Sequence, residues 1–198
     1  MKVNLDKTFP ISAPASTGWA FLQDIPAVAG CMPGAQVTEV IDEQHYKGSV
    51  TARIGPATMA FNGDIEIQAL DPDSRMLHML GSGQDSKGAS SAVMDLKARI
   101  VETDNGDCEL KGEAVVTVNG KAASLGGRMM TQVADQILNQ FGRNFTNHVV
   151  ALSEAEASGE TGAVPVEQAK ALNGLAFAWS ILVGWLRSLF GSRQQNSR

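Results

Sequence analysis

Val3, Leu5, Phe9 and Ile11 stand on alternate positions, which predicts a strand with one face buried. Pro14 and Ser16 then open a short helical stretch through Trp19, Phe21 and Leu22. A second short helix around Pro26–Ala29 ends at Gly30. The string CMPG (31–34) turns the chain, since Pro33 cannot continue a helix and Gly34 tolerates a turn. From about 35 to 118 the period is two. Met59, Phe61, Ile65 and Ile67 oppose Asn62, Asp64, Glu66 and Gln68. Ala92, Met94, Leu96, Ala98 and Ile100 oppose Ser91, Asp95, Lys97 and Arg99. Cys108, Leu110, Ala114, Val116 and Val118 oppose Glu109, Lys111, Glu113 and Thr117. DPDS (71–74) and DNGD (104–107) supply hairpin turns. An antiparallel sheet with one wet face must cover the other.

After Gly120 the period changes. No proline falls between Leu125 and Leu152, and Met130, Val133, Ala134, Ile137, Phe141 and Phe145 recur at helical spacing. Asp135, Asn139, Arg143 and Asn147 fall largely on the other side. This predicts one helix roughly 40 Å long as the cover. The segment SEAEASGETGAVPVEQ (153–168) offers nothing to bury and reads as a flexible linker. The chain therefore divides into a folded domain over 1–152, a linker over 153–169 and a C-terminal segment over 170–198.

Charge sharpens this division. Residues 1–150 hold 12 Lys+Arg and 17 Asp+Glu, whereas residues 151–198 hold four of each, with every acid ahead of every base. An acidic body gives no electrostatic footprint for nucleic acid. The N-terminus has no apolar run of signal-peptide length, and two cysteines far apart suit reduced thiols in the cytoplasm.

Candidate chemistry is sparse. Cys31 in CMPG has no His or carboxylate nearby in sequence, and packing as a small apolar group in a tight turn is its simpler role. His45, His78 and His148 have no metal spacing, but His148 falls on the inward stripe of the long helix, near one end of any cavity. GSGQDSKG (81–88) lacks the ending and context of a phosphate loop and reads as a hairpin. No nucleophile elbow or tuned carboxylate dyad is present, so no catalytic residue is expected.

The strings CMPGA (31–35), IGPATMAFNGDIEI (54–67) and VNGKAASLGGRMMTQVADQILNQFGRNF (118–145) resemble the CoxG family, the G subunit of carbon monoxide dehydrogenase, within the START-like (SRPBCC) fold. The strand order between them extends the resemblance over essentially 1–150. It implies an α+β helix-grip architecture, an antiparallel sheet wrapped around a long C-terminal helix. It also implies an apolar cavity that binds a respiratory quinone, menaquinone or ubiquinone, with no covalent cofactor and no metal. The partner implied is a molybdenum-containing carbon monoxide dehydrogenase or related hydroxylase.

From the pattern alone a filled core and a hollow one fit equally; the resemblance favours the hollow one. Its wall would then comprise Met59, Phe61, Met94, Leu96 and Ala98 from strands. The helix would add Gly127, Met130, Val133, Ala134, Ile137, Phe141 and Phe145. Glycines at 48, 63, 126 and 127, with 81, 83 and 88, would deprive the interior of filling, and eight methionines would supply an adaptable lining.

The C-terminal run LAFAWSILVGWLRSLF (175–190) is apolar around most of a helical circumference. Leu175, Phe177, Trp179, Ile181, Leu182, Trp185, Leu186, Leu189 and Phe190 flank a narrow stripe of Asn173, Ser180, Gly184 and Arg187. Its uncharged reach, Leu172 to Leu186, is about 22 Å, short of a hydrocarbon core of about 30 Å. Two tryptophans and only basic charges fit a monotopic helix seated on the cytoplasmic face of the inner membrane. The expected function is a non-enzymatic, peripherally anchored quinone carrier. A plain anchor or assembly factor, or a polyketide cyclase-type enzyme, are the alternatives.

Overall fold

A computed structural model of the chain describes residues 1–54 and 57–158. The apolar run at 175–190, expected to bind a membrane, lies outside the described residues, as do Gly55 and Pro56 of the family-like string at 54–67.

Seven strands form one antiparallel sheet: β1 (Lys2–Ile11), β2 (Ala35–Val40), β3 (His45–Ile54), β4 (Ala57–Asp71), β5 (Met76–Asp85), β6 (Ser90–Glu102) and β7 (Cys108–Gly120). Their order is β1-β7-β6-β5-β4-β3-β2, so β2 to β7 run as a meander and β1 returns beside β7. The helices α1 (Ala15–Leu22) and α2 (Ile25–Cys31) carry the chain from one sheet edge to the other. The alternation read from the sequence sets the register. Ile65, Gly81, Met94, Val116 and Val3 form one inward row, and Ile67, Met79, Leu96, Ala114 and Leu5 the next. Register shifts at Val37/Glu39 and Ile67/Ala69 mark bulges, which bend and twist the strands that carry them.

Local chemistry explains the turns. Asp24 caps α2, its carboxylate accepting from Ala27 N–H at 3.0 Å, with Pro26 in the first turn, where it forfeits no helical bond. Gly34 adopts φ 75°, and a Cβ there would strike the Thr51 carbonyl, so CMPG closes tightly onto β3.

The long helix α3 spans Gly127–Ala157 and differs from expectation at both ends. Lys121–Leu125 instead forms a 3-10 turn, bracketed by Gly120 at φ 73° and Gly126 at φ 84°. A left-handed Gly126 cannot lie inside an α-helix, so α3 starts after it. At the other end, residues 153–157, assigned from composition to the linker, are helical. Ala and Glu are good helix formers, and Glu156 accepts from the Thr17 hydroxyl of α1 at 3.0 Å, tying down the last turn.

The packed core occupies one half of the sheet. Phe145 and Val149 of α3 are fully buried against Phe21, Leu22 and Ile25 of the short helices and Ile11, Ile67, Leu77, Ile100 and Leu110 of the strands. Phe21 meets Phe145 edge-on at 5.0 Å between ring centroids. Gly142 lets the Phe9 ring lie against the α3 backbone, where any Cβ would collide with it. Asn144 donates to the Cys31 carbonyl at 2.9 Å, pinning the CMPG turn to the helix.

Candidate functional site

Beyond the packed half the inward alternation continues but the burial thins, although Ala114 and Val118 stay buried. Val3, Leu5, Phe9, Val116, Met94, Leu96, Met79, Ile65, Phe61 and Met59 are all only half-buried. The stripe of α3 that supplies Phe145 and Val149 continues as Phe141, Ile137, Ala134, Val133 and Met130, also half-buried. The geometric reason is the path of α3. Its close backbone partners are β1, α1 and α2, with lighter contact to β3 and the 3-10 turn, rather than the central strands. Apolar side chains of helix and sheet on this side are thus only partly covered, with Phe9, Ile65, Met79 and Phe141 still packed against the edge of the core. On the inner face between Lys7 and Ala98, a Cβ on Gly112 would meet nothing within 4 Å, so room is left at that position.

Nine of the twelve residues expected to line a cavity, Met59, Phe61, Met94, Leu96, Met130, Val133, Ala134, Ile137 and Phe141, belong to this half-buried set. Three do not. Ala98 at 7% and Phe145 at 0% exposure belong to the packed core, since they stand level with the short helices. Gly127 is exposed in the first turn of α3.

The glycines act differently from the expectation too. A Cβ on Gly63 would run into the Ser82 carbonyl, and one on Gly48 would come within 3.1 Å of the Gln36 carbonyl. Both serve the approach of neighbouring strands rather than hollowing the interior. Gly88 and Gly126 are exposed turn residues with positive φ. Gly81 and Gly83 face inwards, where an added Cβ would make ordinary contact with Met94 and Phe61 respectively.

Three polar residues also face inwards that the hydrophobic pattern does not single out. Lys7 sits in the β1 alternation between Leu5 and Phe9, and its ammonium pairs with Asp135 of α3 at 2.8 Å. Asp135, expected on the outer helix face, instead flanks the inner stripe and bridges α3 to the sheet edge. Asp85 ends β5 on the inner face, at 8% exposure, and Ser90 begins β6 there, at 4%. Extending the alternation of Leu77 and Met79 through Gly81 and Gly83 reaches Asp85, so a sequence signal for it exists.

His148 does not reach the hollow. It is exposed, stacks on Phe21 at 5.5 Å, and its Nδ1 bonds the Asn144 carbonyl at 2.9 Å, because Phe145 and Val149 take the inward positions. Its ring nitrogen lies 3.9 Å from the Cys31 sulfur. Cys31 is nonetheless fully buried, its thiol bonds the Ala27 carbonyl at 3.6 Å, and burial pushes its pKa up. Such a thiol is a packing group rather than a nucleophile. Cys108 is buried and free as well, its pKa raised first by burial and then by Asp107. Among the described residues no group of His, Cys, Asp and Glu is gathered for a metal ion. Among them, too, no helix is long and apolar enough to cross a membrane.

Comparison with solved structures identifies the architecture. A conserved protein from Geobacillus kaustophilus superposes with a TM-score of 0.67 at 19% identity, covering 75% of this chain and 96% of its own. The Zhui aromatase/cyclase from Streptomyces sp. R1128 gives 0.53 at 12% identity, covering 82% of this chain and 99% of its own. A START superfamily protein from Mycobacterium smegmatis gives 0.52 at 15%, covering 75% and 98%. At these identities the likeness establishes the fold alone, a START-like sheet with a long C-terminal helix. A search of curated protein sequences finds no match. The model of the CoxG family, the G subunit of carbon monoxide dehydrogenase, matches residues 8–150, nearly the whole described domain, and the chain belongs to that family.

Proposed function

We propose that this protein takes up a prenylated respiratory quinone and carries it between the membrane and a molybdenum-containing carbon monoxide dehydrogenase or related hydroxylase. The observation that carries this reading is the half-buried apolar lining shared by α3 and the inner sheet face. Left to water, such a lining forfeits roughly 25 cal/mol for each Å² that a ligand would cover. A prenyl tail, insoluble in water, has the matching chemistry. Membership of the CoxG family supports the choice of partner enzyme. The apolar run at 175–190 supplies the proposed membrane anchor, which would hold the carrier at high effective concentration near its source. Electron transfer would then belong to the quinone and the partner, with no catalytic step in this chain. The carrier would work on the cytoplasmic face of the membrane.

The test is transfer. Donor vesicles loaded with a prenylated quinone are mixed with quinone-free acceptor vesicles and a substoichiometric amount of the full-length protein. Accelerated exchange is expected. Exchange at the protein-free rate would leave the anchor or assembly reading and the cyclase-type one.

A further inference from the structure

We propose that Asp85 and Ser90 form the polar end of the apolar hollow and hold a phenolic hydroxyl of the bound ligand. The β5–β6 ladder pairs Gly83 with Ala92 and Gln84 with Ser91, so the next rung sets Asp85 across from Ser90. Residues directly opposite in this way bring their Cβ atoms to within about 4.5–5.5 Å. Both share the inward alternation of Leu77, Met79, Gly81 and Gly83, and Asp85 lies beside inward-facing Phe61 of β4. The 3-10 turn packs on this end of β6 and β7, with Ala122 1% exposed beside Ser90.

Neither side chain has its bonding capacity filled. Among the described residues the Asp85 carboxylate has no hydrogen-bond donor and no cation, although the residue is more than nine-tenths buried. Among those residues no side-chain oxygen or nitrogen is sealed from solvent without a partner, so this carboxylate keeps an opening. Ser90 Oγ accepts from Ala122 N–H at 3.0 Å, which leaves its own proton to give. A carboxylate that keeps an opening at the end of an apolar lining is free to accept a bond from a ligand that reaches it. A phenolic hydroxyl fits both groups, because its proton goes to Asp85 while its oxygen accepts from Ser90. The class of head group is therefore a hydroquinone, whose hydroxyls can donate, rather than a fully etherified ring, whose oxygens cannot.

This inference rests on the carrier reading, and the experiment separates the two. Full-length protein is titrated anaerobically with a short-chain prenylated hydroquinone and, separately, with its bis-methyl ether, which keeps the tail but has no donor. The unsubstituted chain should prefer the hydroquinone by about tenfold or more, the range for a hydrogen bond to a charged group. Asp85→Leu should bind the two compounds alike, and Asp85→Asn, which still offers a carbonyl oxygen, should restore part of the preference. Equal binding of both compounds by the unsubstituted chain would overturn the role of Asp85 while the carrier reading stands. Binding of neither would overturn both. The comparison on the unsubstituted chain decides the matter even if a variant misfolds.

Discussion

Phe145 and Phe61 are alike in the hydrophobic pattern, since each stands at an inward position of a periodic element. Periodicity reports direction and not what stands opposite, so it could not tell that Phe145 is sealed whereas Phe61 is half-buried. The difference is measurable. Phe145→Ala should cost about 3–5 kcal/mol in urea denaturation, the range for emptying a filled core site. Phe61→Ala should cost well under that, because its side chain is only half-buried. The thiols give a second residue-scale prediction. Burial raises the pKa of both, so the folded state holds their protons after the unfolded chain begins to release them. Their contribution to stability is therefore complete below the ordinary thiol range and declines as pH rises through it, and Cys31→Ser with Cys108→Ala should flatten that alkaline decline. In native protein neither thiol should react with a disulfide reagent at neutral pH. The Cys31–His148 proximity, across 117 positions, had no signature in the local sequence.

Among the elements, the strands were legible because each alternates over enough residues to name its own face, and DPDS and DNGD mark their turns. The ends of α3 were less so. Its start depends on the positive φ of Gly126, which a helical period does not reveal, and its end depends on a bond to α1. Thr17→Val should remove that bond, lower stability by about 1 kcal/mol and speed amide exchange in the last turn of α3. Across the sheet edge, the Lys7–Asp135 pair is partly exposed, with side chains at 30% and 45%. Removing it by Asp135→Asn should cost less than about 1 kcal/mol. The helix would stay seated through Phe9 on Gly142 and Asn144 on Cys31, contacts that do not depend on charge.

At the scale of the whole molecule, one half of the sheet closes on two short helices while the other half faces a helix that follows its edge. That division was only partly written in the sequence. The strings at 31–35, 54–67 and 118–145 pointed to the family, and the apolar periods named most of the lining. Whether that lining meets across filled or empty space depends on the path of α3, set by Gly142, the 3-10 turn and the contacts with α1 and α2. All seven strands pair before the 3-10 turn begins, and α3 ends at Ala157, so residues 1–158 should fold without the tail. A cooperative unfolding transition of the truncated chain would bear that out, and aggregation would place the tail within the fold. The carrier account is tested most directly by extracting full-length protein, purified under mild conditions from its own cells, and identifying the released lipid by mass spectrometry. A prenylated quinone present near one equivalent is the predicted result. A protein that releases no quinone, or only bulk phospholipid in the proportions of the membrane, would contradict it.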